Sequence, residues 1–305
     1  DHPLCSAEAK TRNTTGDHPN RTFQLHQAPP SSRGRRYQRP FAPIAGARWM
    51  IGVFDSGVGG LSVLKEIKAL APSSDLLYVA DRARAPFGAR SLDEVRSMSH
   101  ELADWLIDRG AETLVVACNT ASAAALGSLR EWSPGIPIVG LEPAVKPAAA
   151  TSETGVIGVF ATEATFQGRL FESVVSIHGR DAKIVTQTCP EWVELVEQGK
   201  FSGPDVDRSV AAALAPVIDQ GADALVLGCT HFSFLRPAIE KIAGPEVMVI
   251  DPAPAVAAQT IRVAGAIEGE GRLWLAASGD TSVFAQLARH VGIAEWSGEV
   301  LPFPA

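Results

Sequence analysis

Two stretches of this chain repeat one pattern. Arg109-Gly110-Ala111-Glu112-Thr113-Leu114-Val115-Val116-Ala117-Cys118-Asn119-Thr120 is echoed by Gln220-Gly221-Ala222-Asp223-Ala224-Leu225-Val226-Leu227-Gly228-Cys229-Thr230-His231. In both, a cysteine stands eight residues after a glycine, at the end of a short apolar run. Such a run, starting after a helix-stopping Gly, reads as a strand buried in a parallel sheet. The residues just past its carboxyl end are where open α/β sheets place ligands. Two copies constrain the chain to two related halves, each presenting one thiol.

The echo extends in both directions. Ile51-Gly52-Val53-Phe54-Asp55 matches Ile157-Gly158-Val159-Phe160-Ala161, and Ile138-Val139-Gly140-Leu141-Glu142-Pro143 matches Val247-Met248-Val249-Ile250-Asp251-Pro252. One asymmetry stands out: Asp55 in the first half faces Ala161 in the second, so an acid is kept on one side only. From residue 50 onward, strand-like and helix-like segments alternate. Strands are expected at Trp49–Phe54, Asp75–Ala80, Ile136–Leu141, Gly155–Ala161, Lys183–Thr188 and Arg272–Ala277, besides the two cysteine strands. Helices are expected from Leu61, over Leu92–Arg109, from about Ala121, up to about His178, near Glu191–Gln198, over Asp205–Gln220, after Pro252 and over Thr281–Val291. The alternation implies an α/β fold of two pseudo-symmetric lobes with parallel sheets and a cleft between them. Crossings are expected at Glu142-Pro143 and Asp251-Pro252. The first lobe then takes residues 49–142 plus 252–305, and the second takes 143–251.

The charge is unevenly spread. Residues 1–49 carry a net +5 and the remainder −12, within a formal net charge of −7. An acidic body argues against a nucleic-acid surface, and no apolar run approaches membrane-spanning length. Residues 1–48 are rich in Pro, Arg, Ser, Thr and His, lack hydrophobic periodicity, and read as a disordered basic tail. The Arg33–Arg39 cluster in it reads as solvated. The cysteines at 5, 118, 189 and 229 have neither disulfide-framework nor metal-ligand spacing, which points to reduced thiols in the cytoplasm and to no metal site.

Two thiols facing one cleft suit the movement of a proton on and off a carbon from opposite faces, which needs a base on one side and an acid on the other. A thiol serves in either role because neighbours can tune it around neutrality. Asp55 is placed to take a proton from Cys118, and His231 to do the same for Cys229. Amides at a helix start after each cysteine can hold a carboxylate, and Asn119, Thr120 and Thr230 add side-chain donors. Cys189, before Pro190, reads as structural, as does Cys5. Asp55-Ser56-Gly57-Val58-Gly59-Gly60 approaches a dinucleotide-binding turn, with Asp81 where a ribose-binding acid would stand. However, Ser62 occupies the third glycine position and Asp55 would repel a pyrophosphate. No phosphate-binding loop or metal-binding helix motif is present, so the expected chemistry uses no cofactor.

Three motifs in order resemble the glutamate racemases of the aspartate/glutamate racemase superfamily: Ile51-Gly52-Val53-Phe54-Asp55-Ser56-Gly57-Val58-Gly59-Gly60-Leu61, Ala117-Cys118-Asn119-Thr120-Ala121-Ser122-Ala123 and Gly228-Cys229-Thr230-His231. The resemblance spans about residues 50–305. It implies flavodoxin-like lobes, cofactor-independent interconversion of L- and D-glutamate, and supply of D-glutamate for peptidoglycan. By matching positions, Cys118 and Cys229 would be the acid/base thiols, aided by Asp55, His231 and Glu197. Asp55, Ser56, Phe87, Gly88, Asn119, Thr120, Thr230 and His231 would hold the substrate, and the expected assembly is a homodimer. Two departures mark this chain: Pro86-Phe87-Gly88 stands where the family has Pro-Tyr-Gly, and Phe232-Ser233 where it has Tyr-Pro. Aspartate racemisation, and amino-acid binding without catalysis, are the competing readings.

Overall fold

The computed structural model describes residues 44, 49–179, 181–265, 269–293 and 300–304. The tail expected over residues 1–48 lies outside the described residues except for Ile44, as do Cys5 and the Arg33–Arg39 cluster. The Ile44 N–H donates to the Arg109 carbonyl at 3.1 Å, and its half-buried side chain packs on the apolar core of the first lobe.

The first half runs β1 (Met50–Asp55), α1 (Leu61–Leu70), β2 (Leu76–Ala80), α2 (Leu92–Asp108), β3 (Ala111–Val116), α3 (Asn119–Trp132) and β4 (Ile138–Gly140). After α4 (Val145–Thr151), the second half runs β5 (Val156–Ala161), α5 (Glu163–Gln167), α6 (Arg169–His178), β6 (Lys183–Thr188), α7 (Pro190–Glu197), α8 (Pro204–Ile218), β7 (Ala224–Gly228), α9 (Arg236–Ala243) and β8 (Met248–Ile250). Then α10 (Ala253–Ala264), β9 (Leu273–Ala277), α11 (Thr281–His290) and β10 (Leu301–Pro302) complete the described chain.

Two sheets result, ordered β10-β9-β2-β1-β3-β4 and β6-β5-β7-β8, and every pairing in them is parallel. The cores β2-β1-β3-β4 and β6-β5-β7-β8 share one order, the flavodoxin-like one. Their registers agree as well: Phe54 pairs with Val116 as Phe160 pairs with Leu227. The repeated sequence pattern is therefore a repeated structure. Gly110 and Gly221, which open its two copies, both have positive φ (106° and 89°), the conformation that ends the preceding helix at least cost in glycine. β1 and β2 are buried along their whole length, which is why they read as continuous apolar runs rather than alternating ones.

The helix pattern departs from expectation at several points. The helix expected to run to His178 is broken at Gly168, whose extended backbone (φ −75°, ψ 137°) separates α5 from α6; glycine is a poor helix former. Helices α4 and α9 were not anticipated. Both are short, of 7 and 8 residues, and each carries a proline inside or at its first turn, which masks the periodic signal. The helix expected from about Ala121 begins at Asn119, because the Cys118 sulfur caps it by accepting the Ala121 N–H at 3.5 Å. Sulfur is outside the usual capping set.

Candidate active site

The site lies where each central strand meets its neighbour across the point of reversed strand order. Asp55 ends β1, Cys118 follows β3 by two residues, and Cys229 follows β7 directly. Both thiols are buried. Cys118 donates to the Ser56 hydroxyl at 3.9 Å and accepts the Ala121 N–H. Burial, then the charge of Asp55, pushes its thiol up to about 12, with Cys229 adding to the push. Cys118 is thus held as a thiol.

Cys229 sits in a different environment. Its sulfur is 3.7 Å from His231 Nδ1, and His231 Nε2 is 2.8 Å from Glu197 Oε1. Burial alone would lower the imidazole; the bonds to Cys229 and Glu197 override it and hold His231 well above its ordinary value. Burial likewise opposes the charge on Glu197. His231, the Val58 N–H and Arg82 overcome this and pull its carboxyl down to about 2. The result is a charged imidazolium–carboxylate pair beside one thiol only.

The two lobes interlock through these same groups. Asp55 Oδ1 accepts the Gly57 N–H at 2.7 Å, and Oδ2 accepts the Thr230 hydroxyl at 3.0 Å from the opposite lobe. Asp55 is fully buried, and desolvation raises its pKa. Its hydrogen bonds go to Gly57 and Thr230, while Cys118 meets its charge through space. The Val58 N–H donates to Glu197 Oε1 at 2.7 Å, also across the cleft. The glycines of the Asp55–Gly60 turn have their explanation here. A Cβ on Gly57 would overlap the Glu197 carboxylate, and one on Gly59 would strike Thr230 and His231. The turn is glycine-rich to admit the other lobe's side chains.

On the other flank, the hydroxyls of Thr120, Thr162 and Thr165 form a triangle spanning the lobes, with Thr120 2.8 Å from Thr162 and Thr162 2.9 Å from Thr165. Gly88 faces Thr162, whose Cβ lies 2.6 Å from where a Gly88 Cβ would stand. Phe87 is buried in the first lobe's core. Phe232 is fully buried against Trp192, ring centroids 4.8 Å apart, so this departure from the family motif lies in apolar packing. Asn119 is 2 % exposed, and both polar atoms of its side chain lack a partner among the described residues. Asp81 is likewise buried, but its oxygens are taken by Ser278 at 2.8 Å and Arg84 at 2.6 Å, which makes it a clamp between loops rather than a ribose ligand. Cys189 is buried in the core at the start of α7.

Sequence reading missed Arg82, Val58, Tyr78, Thr162 and Thr165. Thr162 was findable, because the repeat pairs it with Ser56. Tyr78, whose hydroxyl donates to the Gly57 carbonyl at 2.7 Å, and Arg82 act over distances that no local pattern encodes. A cavity of about 790 Å³ at the two lobe crossings, lined in part by Glu142, Pro143, Asp251 and Pro252, holds neither thiol. Among the described residues no group of three or more His, Cys, Asp or Glu side chains is arranged to hold a metal ion, and no helix is long and apolar enough to cross a membrane.

Comparison with known proteins gives the family. The chain is 44% identical over 250 residues to a glutamate racemase of Roseiflexus sp. (strain RS-1), covering 80% of this chain and 92% of that protein. It is 47% identical over 216 residues to a glutamate racemase of Pseudomonas aeruginosa, covering 71% and 82%. The solved structure of Escherichia coli glutamate racemase in complex with L-glutamate superposes with a TM-score of 0.74 at 28% identity, covering 86% of this chain and 97% of that one. The Asp/Glu/Hydantoin racemase family model matches residues 51–260, and the chain, an α/β isomerase of two parallel-sheet lobes, belongs to that family.

Proposed function

We propose that the chain interconverts L- and D-glutamate, with Cys118 and Cys229 as the two acid/base groups. The observation that carries this reading is the pair of buried thiols at equivalent strand ends of the two lobes, one under the charge of Asp55 and the other 3.7 Å from the His231 imidazole. For one enantiomer Cys229 is the base. The His231 imidazolium, held by Glu197, stands 3.7 Å from the sulfur as its counter-ion, and the sulfur in its thiolate form takes the Cα proton. Cys118, kept as a thiol by burial and Asp55, delivers its proton to the opposite face. Each turnover leaves Cys229 protonated and Cys118 deprotonated, the starting state for the other enantiomer, in which the two cysteines exchange roles. Loss of the Cys229 proton to solvent and uptake of one by Cys118 restores the first state.

Substrate binding draws on groups the fold leaves open. The Asn119 amide is a buried polar group with no partner among the described residues, and such a group is satisfied at least cost by a ligand. The start of α3 offers free N–H groups to a carboxylate. By the family resemblance we assign Ser56, Thr120, Thr230, Phe87 and Gly88 to substrate contact as well. Glutamate, rather than aspartate, is the substrate carried by the relatives named above. D-Glutamate for peptidoglycan, a cytoplasmic setting and a homodimer complete the reading.

Circular dichroism of each glutamate and aspartate enantiomer with the purified protein tests it, together with Cα exchange in deuterated water. Loss of optical rotation for both glutamate enantiomers is expected, abolished by Cys118→Ala and by Cys229→Ala. Binding of glutamate with no Cα exchange would make the protein a binder, and faster turnover of aspartate would reassign the substrate.

A further inference from the structure

Glu197 ends helix α7, where the helix dipole disfavours a carboxylate, yet it is strongly held as an anion. Three groups hold it. Oε1 accepts from Val58 and meets His231, while Oε2 accepts from Arg82 Nε at 3.1 Å. Val58 and Arg82 both belong to the first lobe, and Glu197 to the second. Arg82 is itself fixed. Its Nη1 reaches the Asp280 carbonyl at 3.5 Å. The loop around it is pinned by Ala83 N–H to Ser278 at 2.8 Å and by the Ser278–Asp81–Arg84 bonds. Within Asp81-Arg82-Ala83-Arg84, the first and last residues hold the loop and Arg82 alone reaches the cleft.

We propose that Arg82 is a positioning residue for the proton chemistry at Cys229: it takes one oxygen of Glu197 for itself and so divides that carboxylate between itself and His231. The chemical need follows from running one reaction in both directions. An imidazolium tied to an undivided carboxylate would hold its proton too firmly to let the Cys229 pair alternate between base and acid. A second cation on the same carboxylate weakens that hold. The contact spans the lobes, so the tempering belongs to the cleft between them.

The titratable groups around His231 are Cys229 in its own loop, Glu197 at the end of α7 and Asp55 at the end of β1. Arg82 stands behind Glu197, and the Tyr78 hydroxyl and Cys118 lie beyond Asp55. Of these, Arg82 is the one cation besides His231 itself. Its removal frees Oε2 and deletes a like charge, and both effects strengthen the proton on His231.

This inference rests on the Cys229–His231 assignment made above, and the experiment is chosen to read the histidine directly. The His231 ring is titrated by NMR in the full chain, its signals identified by their loss in His231→Asn. In Arg82→Met and Arg82→Gln, the His231 midpoint should rise by roughly 0.5–1 pH unit, while Arg82→Lys should keep it within about 0.3 unit of the parent. The kcat for glutamate should fall several-fold in Met and Gln variants, with KM changed less. An unmoved or lowered midpoint in both variants overturns the proposal, since a purely supporting side chain would leave the titration in place or weaken it. The titration reads the same way whatever amino acid is turned over, so its failure is distinct from failure of the glutamate reading.

Discussion

Thr230 donates its hydroxyl to Asp55 across the lobes at 3.0 Å, whereas its counterpart in the repeat, Asn119, has no protein partner among the described residues. The sequence explains the difference. The residue equivalent to Asp55 is Ala161, which offers no side-chain acceptor. One half of the pseudo-symmetric site is therefore internally satisfied and the other is left open to a ligand.

This asymmetry separates two substitutions. Asn119→Ala should raise KM for glutamate about tenfold, for the loss of a hydrogen bond made only to substrate, and should leave the thermal midpoint of the free protein unchanged or higher. Thr230→Val should instead cost about 1–3 kcal/mol of stability, because it orphans a buried carboxylate oxygen. Melting curves and initial rates on both variants check this. A destabilised Asn119→Ala protein with an unchanged KM would show that the amide has a structural partner.

Asp55 and His231 stand beside different thiols, so Asp55→Asn and His231→Asn should act differently on the two directions. The enantiomers are equally stable, which fixes kcat/KM to be equal in both directions for any variant. The effect must then show in kcat and KM taken separately. We expect kcat to fall about 10²-fold or more in each variant, with the direction showing the lower kcat exchanged between the two. Progress curves from each enantiomer decide it, and identical kcat ratios in both variants would remove the assignment of one tuner per thiol.

Much of this was legible in the sequence for a physical reason. The repeat preserves backbone geometry, so equal spacing between glycine, apolar run and cysteine marks the two strands and puts a thiol at the end of each. His231 was legible because it is two residues from Cys229. The role of Arg82 was not, since it depends on the second lobe folding onto the first, and that of Tyr78 was not, since its bond to Gly57 joins residues no local pattern links. The same closure accounts for Gly57 and Gly59, whose glycine pattern suggested a dinucleotide turn but which make room for Glu197, Thr230 and His231. Glu197 was legible only through family resemblance, because a helix-terminal Glu is ordinarily solvated.

Glu197 also sets a limit on the acid side. Its carboxyl is held near 2 in the folded protein against about 4.3 in an unfolded chain. A depressed folded value stabilises above the unfolded one, and the contribution is lost as pH falls from about 4.3 toward 2. Glu197→Gln should therefore show a shallower fall of thermal midpoint between about pH 5 and pH 2 than the parent, despite a lower stability at neutral pH. Parallel curves would mean that the carboxylate is no better solvated by the fold than by water.

The alkaline side is governed by thiols. Cys118 and Cys189 are both pushed up to about 12, each chiefly by burial, against about 8.5 when exposed. A raised folded value leaves stability intact below the unfolded one and removes it as pH climbs through the interval, here from about 8.5 to 12. The unfolded chain sheds those protons first, and the equilibrium follows it. Cys189 allows a clean test because it packs in the core at the start of α7 and lies outside the proposed proton path. Cys189→Ala should lower the thermal midpoint slightly at pH 7, by loss of buried sulfur, yet lose stability more gently between about pH 9 and pH 11. The parent and variant curves should then converge as pH rises. If they instead stay parallel through that range, the Cys189 thiol is not held protonated by its burial, and the same doubt extends to the state assigned to Cys118.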